Sequence, residues 1–222
     1  MLILPSTILY FIATGVSLFL GVYLIYFIII NEFVLVSKNF SWKAFASLFN
    51  ILIITGNLAS VGFSISVAVQ RFYAEADSPL QKGMGIIAGF TIALSQYCYL
   101  RCTWARGSDI VRRLFKPLFS GMSLFLNWAP ILLVAECTVS AVYILKPNST
   151  QVASIFFGIY GVTGFAVVVF DAVMLISFIQ CLRSTHTEEE AVSEDFLIIS
   201  WYGIGSSLLC FSVNIVFVGA GL

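Results

Sequence analysis

Two acidic residues stand where lipid would surround them. Glu136 interrupts the run Ile131-Leu132-Leu133-Val134-Ala135, and Asp171 follows Val167-Val168-Val169-Phe170. A carboxylate at the centre of a spanning helix costs about 2.5–3.5 kcal/mol on insertion scales, so each should face the helix bundle or water. Such acids can bind a cation or ligand, relay a proton, or hold two helices together through a hydrogen bond. Asn50, Asn57, Gln96 and Asn214 are further side chains inside apolar runs that both donate and accept hydrogen bonds through an amide. Together with Asp171 they form a candidate intramembrane polar network or switch. Glu136, with Trp128 and the helix-interrupting Pro130 nearby, marks a candidate ligand pocket.

Enzyme chemistry finds little support. His186 is the single histidine and falls in a polar linker. There is no Gly-x-Ser-x-Gly elbow and no His-Glu-x-x-His pair, and the glycines of the small-residue series are no phosphate loops, since they lie in apolar runs with no Lys-Ser or Lys-Thr pair nearby. Cys98 and Cys102 are one helical turn apart but have no histidine beside them, so no metal site is expected. The cysteines read as small buried side chains, with palmitoylation of Cys98, Cys102 and Cys181 as the alternative. No cofactor is expected.

These side chains must be positioned by membrane helices. Of the 222 residues 60% are hydrophobic and 10% charged, and the mean hydropathy is +1.02. That composition excludes a soluble domain, a disordered chain and a nucleic-acid-binding module. A span needs about 20 apolar residues to cross a hydrocarbon core of roughly 30 Å. Six segments qualify, at about 4–36, 43–72, 82–99, 117–145, 152–182 and 196–222. None alternates like a barrel strand, so the expected fold is all-α: a single polytopic transmembrane helical domain. No Lys or Arg precedes Lys38, so the first segment reads as a permanent helix rather than a cleaved signal.

Charge sets the expected sidedness. Lys38, Lys43, Arg101, Arg106, Arg112, Arg113, Lys116 and Arg183 fall in odd-numbered linkers, whereas Arg71, Lys82 and Lys146 fall in even ones. The positive-inside rule puts linkers 1, 3 and 5 in the cytoplasm and the amino terminus outside. The sequon Asn148-Ser149-Thr150 in the fourth linker agrees, making Asn148 a candidate glycosylation site. On this layout Glu136 lies roughly 15 Å below the outer end of its span and Asp171 nearly 30 Å below, too far apart for a catalytic dyad. The basic third linker reads as an orientation determinant beside anionic lipid, or as a docking surface for a cytoplasmic protein.

Three series of small residues suit close helix contact: Gly56, Ser60 and Ser64; Gly85 and Gly89; and Ser154, Gly158, Gly161 and Gly164. Packing within one chain is the first reading, and a homo-oligomer the alternative. No internal repeat is visible.

Some residues resemble the seven-helix receptors that couple to G proteins. Asn57-Leu58-Ala59 is similar to the start of a second-helix motif in the rhodopsin-like group. Arg101 stands at the inner end of the third span, and Trp128 matches a fourth-helix tryptophan in type. The pattern departs at Gly62, where that group keeps an acid, and at Leu100 and Cys102, which flank Arg101 in place of an acid and an aromatic. The resemblance implies a seventh helix after Leu222 and an external small ligand entering near Glu136. It also implies a cytoplasmic signalling partner read by Arg101, Arg106, Arg112, Arg113 and Lys116. A small-solute or ion transporter or channel, with Asp171, Asn57 and Gln96 lining the path, is the second expectation. A structural or assembly subunit is the third.

Overall fold

The computed structural model describes residues 3–30, 47–73, 78–146 and 149–187. Among them there are helices and no strands: α1 (Ile3–Ile30), α2 (Leu48–Phe72), α3 (Pro79–Leu114), α4 (Lys116–Leu145) and α5 (Thr150–Thr187). Four of these are long and apolar enough to cross a membrane, over Leu48–Phe72, Pro79–Leu114, Lys116–Leu145 and Thr150–Cys181. α1 carries a shorter apolar stretch, Tyr10–Tyr26. The all-helical membrane-protein character expected from composition is therefore present. The segment at 196–222, Asn148 and Asn214 lie outside the described residues, as do the acidic residues of the fifth linker.

Local chemistry explains where the helices begin. Ser47, Ser78 and Ser149 each place a hydroxyl to accept from a backbone N–H three residues on: Asn50 at 3.3 Å, Gln81 at 3.2 Å and Val152 at 3.4 Å. These are N-caps that satisfy amides with no partner in the first turn. Pro79 then occupies the first position of α3, where a missing N–H costs nothing.

One boundary differs from the sequence reading. The apolar segment read as the third span reaches about Tyr99, whereas the helix that carries it, α3, runs on to Leu114. Arg101, Arg106, Arg112 and Arg113 therefore stand on a helix rather than in a linker. Hydropathy marks what can sit in lipid, not where the backbone stops coiling. Leu100, Thr103, Gly107, Ile110 and Val111 are buried at helical spacing, so a packed stripe carries the helix past its apolar portion. α4 follows directly. Phe115 N bonds Val111 O at 2.7 Å and Phe119 N bonds Phe115 O at 3.0 Å, leaving only Phe115 between the two helices.

The chain divides into two compact units. The first comprises Met1–Tyr99 and Ile131–Ile159, the second Leu100–Pro130 and Tyr160–Leu222. In the first, small residues let α2, α3 and α4 approach. A Cβ at Gly56 would stand 3.0 Å from the Cβ of Cys98, and one at Gly62 3.1 Å from Thr91. One at Gly85 would meet Gln70 at 2.9 Å and Ile144 at 3.0 Å, and one at Gly89 would meet Ser140 at 2.9 Å. Two of the three small-residue series thus serve packing within the chain. α1 joins through Gly21 against Asn57, and Arg71 lies over the Tyr10 ring at 5.3 Å. In the second unit Gly107 abuts Met174 and Phe178, which are 0% and 1% exposed. Gly158, Gly161 and Gly164 of α5 have nothing within 4 Å among the described residues.

Candidate functional site

Glu136 belongs to the first unit. Leu133, Glu136 and Ser140 are 5%, 1% and 6% exposed, a buried stripe on α4 at spacings of three and four. The stripe meets α3. Ser140 closes on Gly89, and the Cys137 thiol donates to the Gly89 carbonyl at 3.6 Å. The pairs Gly85–Ile144 and Gly89–Ser140 show α3 and α4 running antiparallel in fixed register. One further turn places Glu136 level with Ala93, itself buried. The acid is therefore set against the small-residue face of α3 that carries Gly85, Gly89 and Ala93.

A polar seam runs between α2 and α3 in the same unit. Ser60 Oγ bonds the Gly56 carbonyl at 3.0 Å and lies 2.9 Å from Ser95 Oγ. Beside Ser95, the Gln96 Oε1 atom is sealed from solvent and receives no hydrogen bond. Asn50 is buried and Asn57 half-buried. Asn57 also lines a small apolar cleft between α1 and α2 with Leu18, Gly21 and Ile54.

Asp171 belongs to the second unit. It lies on the buried face of α5 with Thr163, Val167, Phe170, Met174, Ser177 and Phe178, all at 5% exposure or less. Ser177 satisfies its own hydroxyl by donating to the Val173 carbonyl at 2.7 Å. Asp171 is 1% exposed. One carboxylate oxygen of each acid, Oε2 of Glu136 and Oδ2 of Asp171, is sealed and accepts no hydrogen bond, while both residues are engaged by other interactions. Asn50, Asn57 and Gln96 belong to the first unit with Glu136, and Asp171 to the second.

The candidate pocket residues occupy different faces of α4. Glu136 points inward, Pro130 is half-buried within the helix, and Trp128 is 56% exposed. The basic residues stand outward in the second unit. Arg106, Arg112, Arg113 and Lys116 are exposed and Arg101 is half-buried. Ser60 with Ser95, Ser140 beside Glu136, and Gly107 carry interactions that sequence reading did not single out together. The spacing of Leu133, Glu136 and Ser140 is the signal that marks the last turn of that stripe.

No protein-family model, curated protein or solved structure matches this chain.

Proposed function

We propose that this is a polytopic membrane protein that couples movement of a proton or small cation to a change in helix arrangement. Glu136 and Asp171 are the side chains that bind or release the ion. One observation carries the reading: two carboxylates, each 1% exposed, lie within helices of spanning length. Each costs several kcal/mol to insert, and an apolar residue would pack there without that cost. The Ser60–Ser95 pair and the buried Gln96 Oε1 offer oxygen ligands or hydrogen-bond partners within the unit that holds Glu136. In this reading the segment 196–222 completes six spans, the amino terminus lies outside and linkers 1, 3 and 5 face the cytoplasm. The experiment is flux into liposomes containing the purified chain, driven by a proton or sodium gradient. Asp171→Asn and Glu136→Gln keep side-chain size and should abolish coupled flux while leaving the fold intact. Unchanged flux in both variants would remove the role.

A second reading rests on the outward-facing Arg106, Arg112, Arg113 and Lys116. They suit the cytoplasmic coupling surface of a receptor-like heptahelical protein that senses an external small ligand. A ligand would act by binding one helix arrangement more tightly than the other. Nucleotide exchange on co-expressed G proteins tests it, with loss of exchange expected in the Arg112→Gln, Arg113→Gln double variant.

A further inference from the structure

We infer that the corner where α3 passes into α4 is a binding surface for anionic phospholipid headgroups. α3 ends at Leu114 and α4 begins at Lys116, and backbone hydrogen bonds carry the chain through Phe115 without a loop. The last turn of one helix and the first turn of the next therefore hold Arg112, Arg113 and Lys116 close together, all exposed, with Arg106 exposed further back. Asp109 is the sole acid between Arg101 and Lys116, in a chain whose total charge is zero. The positive charge is a local concentration, not a property of the whole molecule.

The residues beneath that charge decide what it meets. Arg112 lies over the Phe119 ring at 5.7 Å, and Phe119 stacks on Trp104 at 5.3 Å. An aromatic pair thus braces the guanidinium, which lowers the entropy lost when it captures an anion. Leu114 and Leu118, 37% and 44% exposed, flank the cations. A cationic rim on an aromatic and aliphatic footing matches the layering of a bilayer boundary, with acyl chains, then aromatic side chains, then phosphates. A water-soluble acidic protein would complement the charges but not the leucines.

Helix length carries this corner out of the hydrocarbon. At about 1.5 Å per residue the 36 residues of α3 extend roughly 54 Å, beyond a hydrocarbon core of about 30 Å and even the full bilayer of about 40–45 Å. The apolar part of α3 lies toward Pro79 and that of α4 begins at Pro117, so the corner between them lies outside the hydrocarbon, on the headgroup side. The inference does not depend on the ion-coupling reading, since neither buried acid takes part in it.

The test uses the full chain with Trp42, Trp128 and Trp201 changed to Phe, leaving Trp104 as the reporter. The protein is reconstituted in phosphatidylcholine vesicles containing brominated phosphatidylserine or, in the matched sample, brominated phosphatidylcholine. Phosphatidylserine should quench Trp104 more strongly. That preference should fall by up to about fivefold for each cation removed in Arg112→Gln, Arg113→Gln and Lys116→Gln. It should also shrink in molar salt, where the Debye length drops to about 3 Å. Arg112→Lys with Arg113→Lys keeps the charge and should keep the preference, which separates lost binding from lost folding. Equal quenching by the two lipids would overturn the inference and leave the corner to a soluble partner. A preference that survives removal of all three cations would overturn it equally.

Discussion

Gly107 is a position where a larger side chain has no room without displacing its neighbours. Its missing Cβ is filled by Met174 and Phe178, both buried, so a side chain there must push against two packed residues. Overpacking of this kind costs typically about 1–3 kcal/mol. Gly107→Leu should lower the melting temperature of the purified protein clearly, and Gly107→Ala less, because the Met174 methyl can rotate away. Ser60→Ala should cost little, about 0.6 kcal/mol, the usual worth of a hydrogen bond between membrane helices. The same thermal assay would separate the two positions; an equal effect would contradict the packing described. Glu136 and Asp171 were legible in the sequence because a charge in an apolar run is conspicuous. Gly107 was not, since a glycine among Arg106, Ser108 and Asp109 looks like a turn. Only the helix on which it sits turns it into a contact.

At the scale of elements, α3 carries the largest difference between sequence and structure. Its apolar portion was readable, yet its continuation through the arginines was not, because hydropathy falls while the helix persists. Spin labels placed singly from Arg101 to Leu114 should report solvent access that oscillates with a period of about 3.6 residues, with minima at Gly107 and Val111. Uniform high access would restore a linker. Ser108→Pro, which removes a hydrogen bond and clashes with the preceding turn, should cost about 3 kcal/mol if the helix is continuous and almost nothing in a loop. The inward faces of α4 and α5 were hidden for another reason. Both helices are apolar on all sides, so no hydrophobic stripe points to the core. The scattered polar residues, Glu136 with Ser140 and Thr163 with Asp171, mark the buried face instead. The small-residue series showed which helices can approach closely, but not which neighbour each would meet.

The whole molecule is an integral membrane protein built from helices, four of them of spanning length among the described residues. Its overall neutrality hides local concentrations of charge: two acids, Glu136 and Asp171, are buried within spanning helices, and the exposed Arg106, Arg112, Arg113 and Lys116 stand toward the junction of α3 and α4. That distribution was visible in outline from the sequence, because the same rule of lipid solvation governs both groups. It did not reveal that the acids belong to separate compact units, since chain order places Glu136 and Asp171 on consecutive helices. The proposed sidedness has its own check. Tags inserted after Tyr73 and after Lys146 should be reached from the non-cytoplasmic side of the membrane, and one after Phe115 from the cytoplasm; the reverse pattern would invert the layout. The most direct test of the central claim is gradient-driven uptake by vesicles containing the purified chain, measured beside Asp171→Asn and Glu136→Gln. Coupled uptake by the unaltered protein, lost in both variants with the melting temperature preserved, is the predicted result. Uptake that proceeds equally in all three proteins, or in none, would contradict the role given to the buried acids.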